Sequence, residues 1–157
     1  MTEAERIWST YIAAWNRHDV DSIVAAVAEQ FIYDERPMTM TVPVRGRHAF
    51  RAYLNTVFKT FPDLRIQTTS CDTGSSLAVA ESLMSGTYAG SQGLHLGRGR
   101  RISARVACVF EVAGGWLVHE RLYWDRGNFM RQLGLLPAVA SAATTRVVTF
   151  REPSESL

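Results

Sequence analysis

The hydrophobic pattern of this chain changes period at Phe61-Pro62. Before that point, apolar residues recur every three or four positions, as they do between Ile7 and Trp15, and this is the spacing of an α-helix. Pro62 ends the last of three such segments, because the residue before a proline is disfavoured in the helical region. After Pro62, apolar and polar residues alternate instead.

Four long segments after Pro62 show the alternation of a β-strand. They span residues 64–73, 77–88, 102–112 and 116–125. The chain order is helix, helix, short strand, helix and then these four strands, which is typical of the α+β class. We therefore predict α+β: a curved antiparallel β-sheet with helices on one face that enclose a cone-shaped pocket.

A single domain accounts for most of the chain. With 157 residues and 46% hydrophobic content, residues 1–137 can bury one sizeable core. Residues 138–157 are predicted to form a C-terminal tail, in which Arg146–Phe150 is a candidate extra edge strand.

Charge and composition give no support for a nucleic-acid or membrane partner. The formal net charge is only +2, and the densest basic cluster, Arg98–Arg101, is predicted to be a solvated hairpin tip. No segment approaches the roughly 18 apolar residues of a membrane span, and the N-terminus lacks the pattern of a signal peptide. The two cysteines of the chain also lack the spacing of metal ligands. We expect a cytoplasmic protein that binds a small molecule without a metal.

The last strand carries an unusual set of side chains on one of its predicted faces. Leu117, His119, Arg121, Tyr123 and Asp125 are two residues apart and would share that face. Such a polar set belongs at solvent or in a cavity. We predict that it looks into the pocket, with Trp116, Val118, Leu122 and Trp124 on the other side. Glu120 is then expected to be exposed or to pair with an arginine.

Several short motifs resemble the SnoaL-like polyketide cyclase family, which belongs to the nuclear transport factor 2-like superfamily. The resemblance covers roughly residues 5 to 137. It rests on Tyr11–Asp19 (YIAAWNRHD), Phe61–Leu64 (FPDL), Gly86–Gly90 (GTYAG), Tyr123–Asp125 (YWD) and Arg131–Pro137 (RQLGLLP).

This resemblance implies a cofactor-independent enzyme in which Asp125 is the general acid/base of an aldol-type ring closure. Desolvation in an aromatic pocket would raise the pKa of its carboxyl group and make it a stronger base. His119 and Tyr123 are candidate catalytic partners, to polarise a carbonyl or donate to an oxyanion. The alternative for Asp125 is that it only caps the helix that follows.

Substrate-binding residues are predicted from the aromatic and basic side chains near this face. Aromatic rings suit a flat, polyketide-like substrate, although aromatic residues at helical spacing also build cores. Arg105 and Arg121 are candidates for binding a carbonyl or an acidic group, with surface placement as the alternative. The predicted substrate-binding set is Trp15, Tyr33, Met38, Phe50, Tyr53, Phe61, Arg105 and Arg121.

Three other functions stay open on the sequence. Epoxide hydrolases of the same superfamily use an Asp-Arg-Asp group, and the carboxylate that would follow Arg105 is missing, because Val106-Ala107 stand there. A hydroxylase component with the same fold is a second alternative, and a non-catalytic binding module is the third.

We also expect a homodimer or a higher homo-oligomer. The residues of alternate parity between Ile102 and Val112 are apolar and need cover. Because helices can cover only one face of a sheet, a second copy is expected to cover this one.

Overall fold

The computed structural model describes residues 1–36, 42–90 and 96–137. The helices and strands follow the predicted order, including the short helix after the last strand, with one additional short strand. They are α1 (Glu3–Arg17), α2 (Val20–Ala25), β1 (Val27–Glu35), β2 (Val44–Arg45), α3 (Gly46–Thr60), β3 (Arg65–Thr73), β4 (Leu77–Thr87), β5 (Arg101–Ala113), β6 (Trp116–Trp124) and α4 (Arg126–Gln132).

Helix α1 begins at a capping box. The Thr2 side chain accepts a hydrogen bond from the Glu5 backbone N–H, and the Glu5 side chain accepts one from the Thr2 N–H. The helix ends at His18, which adopts the left-handed conformation with φ 56°. Its apolar stripe, which includes Trp8 and Tyr11, is buried against the sheet.

The six strands form one curved sheet in the order β2-β1-β6-β5-β4-β3. Strands β3 to β6 pair antiparallel in chain order, as predicted, and β1 pairs antiparallel with β2. The β1–β6 pair is parallel. The α+β fold predicted from the sequence is therefore confirmed, with one parallel pair in an otherwise antiparallel sheet.

A β-bulge interrupts β6 near its start. Val112 pairs with Leu117, but Glu111 pairs with His119, so β6 has one extra residue at this point. An extra residue reverses the alternation of side chains between the two faces of a strand. Leu117 therefore shares the inner, helix-facing side of the sheet with Glu120.

The inner face of β5 is the apolar one, and the helices cover it. Its residues Ile102, Ala104, Val106, Cys108, Phe110 and Val112 are all buried. Trp8 of α1 stacks on Phe110 with ring centroids 4.4 Å apart. The argument that this face needs a second copy is therefore wrong, because α1 already packs on it. The homodimer stays a prediction, without that support, and so does the cytoplasmic location.

The predicted tail, 138–157, and its candidate edge strand lie outside the described residues. The single-domain boundary at residue 137 stays a prediction. Among the described residues, no helix is long and apolar enough to cross a membrane.

Candidate active site

A cavity of about 200 Å³ lies between the helices and the inner face of the sheet. Its wall is mostly aromatic and aliphatic, with two carboxylates. The residues of the wall are Trp8, Tyr11, Ile12, Trp15, Tyr33, Glu35, Tyr53, Val57, Phe61, Leu64, Ile66, Met84, Ile102, Val106, Cys108, Glu120, Leu122, Trp124 and Phe129.

Glu120 is the carboxylate in the middle of this wall. It lies on β6 opposite Phe110 of β5, and only 4% of its surface is exposed. The Tyr11 hydroxyl, on α1, donates a hydrogen bond of 2.8 Å to Glu120 Oε2. Strand β6 and helix α1 together therefore hold this carboxyl group at a fixed place in an apolar cavity.

The environment of Glu120 raises its pKa from 4.5 to about 7, and burial is the largest cause. Hydrogen bonds from Tyr11 and Cys108 lower the pKa, whereas the nearby charge of Glu35 raises it. At neutral pH, both the carboxylate and the carboxylic acid are populated. A group in that state can both accept and return a proton.

Glu35, at the end of β1, is the second carboxylate of the cavity. The hydroxyl groups of Tyr53 and Tyr33 both donate to its Oε1, with a distance of 3.3 Å for Tyr33. Tyr33 is the register partner of Glu120 in the β1–β6 pair, which places the two carboxylates on neighbouring strands. Burial raises the pKa of both tyrosines well above the ordinary value, so they stay protonated donors.

Two indole N–H groups of the wall have no acceptor among the described residues. They are Nε1 of Trp8 and Nε1 of Trp124, and both atoms are buried. A buried donor without a partner costs free energy, and in native proteins such groups normally have one. The rings of both residues line the cavity, but neither nitrogen is accessible from it.

The structure places His119, Arg121 and Tyr123 on the outer face of the sheet. Arg121 donates to Glu111 Oε1 at 2.8 Å, and His119 Nδ1 lies 3.8 Å from the same oxygen. Tyr123 is 43% exposed. The prediction that this polar face looks into the pocket is wrong, because the helices cover the other, apolar side. The expectation that Glu120 is exposed is wrong for the same reason.

The pKa of His119, on this outer face, lies below the ordinary value. Burial is the largest cause, and the charge of Arg121 is the next. The imidazole is therefore neutral at physiological pH.

Asp125 is exposed and is not part of the cavity wall. It is the N-cap of α4, where its Oδ1 accepts a hydrogen bond of 2.9 Å from the Asn128 backbone N–H. Its Oδ2 lies 3.8 Å from Arg131. Of the two alternatives weighed for Asp125, the cap is the one seen in the geometry, and the catalytic role is a prediction without a contact to the cavity.

Four of the predicted wall residues do line the cavity: Trp15, Tyr33, Tyr53 and Phe61. Phe50 does not, because it is fully buried behind the wall, in contact with Phe31 and Tyr33. Arg105 is exposed on the outer face beside Glu81 and Tyr123. Met38 lies outside the described residues.

The sequence of this chain matches the model of the SnoaL-like domain over residues 8–120. The chain belongs to this family. No protein in a search of curated sequences matches it.

Solved structures share the fold of this SnoaL-like chain at low sequence identity. AclR, a proposed hydroxylase from Streptomyces galilaeus, superimposes with a TM-score of 0.72 and 18% identity over 87% of this chain and 88% of its own. A proposed polyketide cyclase from Xanthomonas campestris has a TM-score of 0.71 and 22% identity over 83% and 96%. An epoxide hydrolase from M. tuberculosis has a TM-score of 0.66 and 18% identity over 83% and 89%. Identities this low show the fold alone.

Three polar groups of the SnoaL-like site were missed in the sequence: Tyr11, Glu35 and Glu120. Tyr11 lies at helical spacing among the apolar residues of α1, and the sequence does not indicate a partner for its hydroxyl group. Glu120 shares one face of the strand with Leu122 and Trp124. A single carboxylate within that apolar set is the sequence signal that could have identified it as a site residue. Among the described residues, no group of three or more His, Cys, Asp and Glu side chains could hold a metal ion.

Proposed function

We propose that this protein is a cofactor-independent acid/base enzyme of the cyclase or isomerase type. Its substrate is an aromatic, polyketide-like small molecule that enters the cavity. The observation that carries the proposal is Glu120, a carboxyl group with a pKa of about 7, buried in an aromatic cavity and held by Tyr11.

The proposed step is an intramolecular aldol closure. The Glu120 carboxylate removes a proton from a carbon next to a carbonyl group, and that carbonyl oxygen becomes an enolate oxygen. The carbon then attacks a second carbonyl carbon, which forms a C–C bond and leaves an alkoxide. Glu120, now a carboxylic acid, gives its proton to the alkoxide. The product is an isomer of the substrate, so no oxidant or co-reactant is needed.

Charge that develops on oxygen during this step needs hydrogen-bond donors. A bound substrate that turns the rings of Trp8 and Trp124 would expose two, because their Nε1 groups have no acceptor among the described residues. An isomerisation would use the same groups, with the proton returned to a different carbon. The rings of the wall suit a flat substrate, which binds through contact area and ring geometry.

The proposal is tested by hydrogen exchange into 2-tetralone, a two-ring ketone with an acidic position between its aromatic ring and its carbonyl group. Proton NMR in D₂O measures exchange at that position. We expect the protein to accelerate exchange over buffer and Glu120→Gln to lose at least about 100-fold of the acceleration, because a general base contributes on the order of 10²–10⁴-fold.

Asp125→Asn is the comparison variant, since the sequence suggested Asp125 as the acid/base. It should keep the exchange rate of the unmodified protein. Loss of exchange in Asp125→Asn but not in Glu120→Gln would overturn the role of Glu120. Binding of 2-tetralone without any exchange above buffer would favour a non-catalytic binding module, and a requirement for flavin or O₂ would favour a hydroxylase component.

A further inference from the structure

The cavity wall combines two carboxylates with no basic side chain. Among the described residues, neither a lysine, an arginine nor a histidine lines it. The basic residue next to Glu35 in the chain, Arg36, is paired at 2.6 Å with Asp34 and is exposed. Buried carboxylates are normally paired with a cation. Here that partner is missing from the described part of the protein.

Glu35 has an unused oxygen. Both of its tyrosine hydrogen bonds end on Oε1. No donor among the described residues reaches Oε2. The tyrosines therefore fix the carboxylate in place and leave one oxygen for a further donor.

Aromatic rings line the cavity beside this carboxylate. Tyr33 and Tyr53 contact each other with ring centroids 5.0 Å apart, and Trp15 lies in the same wall. The face of an aromatic ring attracts a cation, and this attraction is largest when the cation is removed from water. Rings and a carboxylate together are the features that recognise an ammonium group.

We propose that the ligand of this cavity carries a protonated amine next to its apolar ring, and that the amine binds at Glu35. This inference rests on the cavity being the ligand site, as in the proposed function. It divides the two carboxylates by role: Glu35 holds the cation, and Glu120 moves the proton. It also disfavours ligands whose polar end is a carboxylate, since Glu35 and the ionised fraction of Glu120 would repel that group.

Three probes of one shape test this inference: N,N-dimethylbenzylamine (a cation at neutral pH), isobutylbenzene (neutral) and phenylacetate (an anion). Each places a small branched group on a benzyl ring. A single substituted ring suits a cavity of about 200 Å³, because an engineered cavity of roughly 150 Å³ binds benzene. Quenching of tryptophan fluorescence reports binding, since three tryptophans line the wall: Trp8, Trp15 and Trp124.

We expect the amine to bind at least tenfold more tightly than isobutylbenzene, and phenylacetate not to bind. Glu35→Gln should remove the preference for the amine while isobutylbenzene binds as before. The control is Glu81→Gln, because Glu81 is exposed and its carboxylate accepts from Ser70 at 3.3 Å, away from the cavity. This variant should keep the preference.

Equal affinity for the amine and isobutylbenzene would overturn the inference and leave the acid/base role of Glu120 intact. Failure of the amine to bind, or a preference unchanged in Glu35→Gln, would overturn it as well. The proposed function fails on a different result, the hydrogen exchange of Glu120→Gln, so the two outcomes are distinguishable.

Discussion

The two faces of β6 place carboxylates in opposite surroundings. On the inner face, Glu120 is 4% exposed, and its described neighbours include no cation. On the outer face, Arg121 bonds to Glu111 at 2.8 Å, and the Glu111 side chain is 39% exposed. The inner carboxyl group has a pKa of about 7 because burial is not offset by a positive charge.

This difference shows that the number of polar groups on a face does not identify the reactive one. On the outer face, Glu111 is paired with Arg121 and partly exposed. On the inner face, burial raises the pKa of Glu120, and no described cation lines the cavity to offset it. The first three predictions that follow pair an inner residue with an outer one, so that each can break or sharpen the contrast.

The largest expected effect is on the pH dependence of catalysis. If the Glu120 carboxylate is the base, kcat/KM should rise through pH about 7, the pKa of the group. At pH 5 the rate should be about 100-fold below the plateau, because only about one per cent of the group is ionised there. The measurement is the exchange rate of 2-tetralone from pH 5 to pH 9.

Glu111→Gln, on the outer face, is the control for this profile. It should leave the midpoint where it is, because Glu111 does not line the cavity. If Glu111→Gln shifted the midpoint of the pH–rate profile, the contrast between the two faces would not hold.

The second effect is on stability. The folded protein binds the Glu120 proton more tightly than the unfolded chain, whose carboxyl group has the ordinary pKa. The free energy of unfolding should therefore fall as pH rises from about 4.5 to about 7 and then level off. At pH 8, the free energy of unfolding should be about 3 kcal/mol below its value at acidic pH, once the change in Glu120→Gln over the same range is subtracted.

Urea unfolding at pH 5 and pH 8 measures this. Glu120→Gln should gain stability relative to the unmodified protein between these two pH values. Glu111→Gln should differ by only about 0–1 kcal/mol at either pH, since it removes a partly exposed ion pair. Parallel curves for the unmodified protein and Glu120→Gln would contradict the raised pKa.

A third effect concerns the tyrosine on α1. The hydrogen bond from Tyr11 lowers the pKa of the Glu120 carboxyl group, and Tyr11→Phe removes this bond. Its removal should move the midpoint of the pH–rate profile upward and lower stability by about 1 kcal/mol. Tyr123→Phe is the outer-face match, because Tyr123 is 43% exposed. We expect Tyr123→Phe to change neither quantity; a downward shift in Tyr11→Phe would contradict the role of this bond.

The smallest effect is expected at Asp125. Asp125→Ala removes the N-cap of α4 and should cost about 1 kcal/mol of stability. Asp125→Asn, which can still cap, should cost less. Thermal unfolding compares the two. An equal loss in both variants would indicate that the charge of Asp125, near Arg131, matters more than the cap.

Most of the fold could be predicted because it depends on local patterns. The period change at Pro62 and the alternation within each of the four segments after it act within a few residues. They were enough to place three helices and the four long strands in order. The parallel pairing of β1 with β6 depends on contacts between distant parts of the chain and was missed.

The candidate site was only partly predicted, and the reason lies in β6. The face of β6 that meets the helices depends on how β6 pairs with β5, and the same pairing sets the position of the bulge. The rings at helical spacing, such as Trp15 and Tyr53, do line the cavity, because helix periodicity alone directs them inward, and their contact with a substrate stays a prediction. Glu120 was assigned to the wrong side because the polar residues next to it were assumed to line the pocket.

The extra residue of β6 also affects how relatives of this protein should be aligned. Val118 is the extra residue. Without it, Leu117 would still pair with Val112 and His119 with Glu111, so Leu117 and Glu120 would both keep the inner face. In a relative that lacks the extra residue, an alignment without a gap from the start of β6 would therefore match the cavity-facing residue with His119 instead of Glu120. Alignments of this segment should be anchored on the residues that pair with β5.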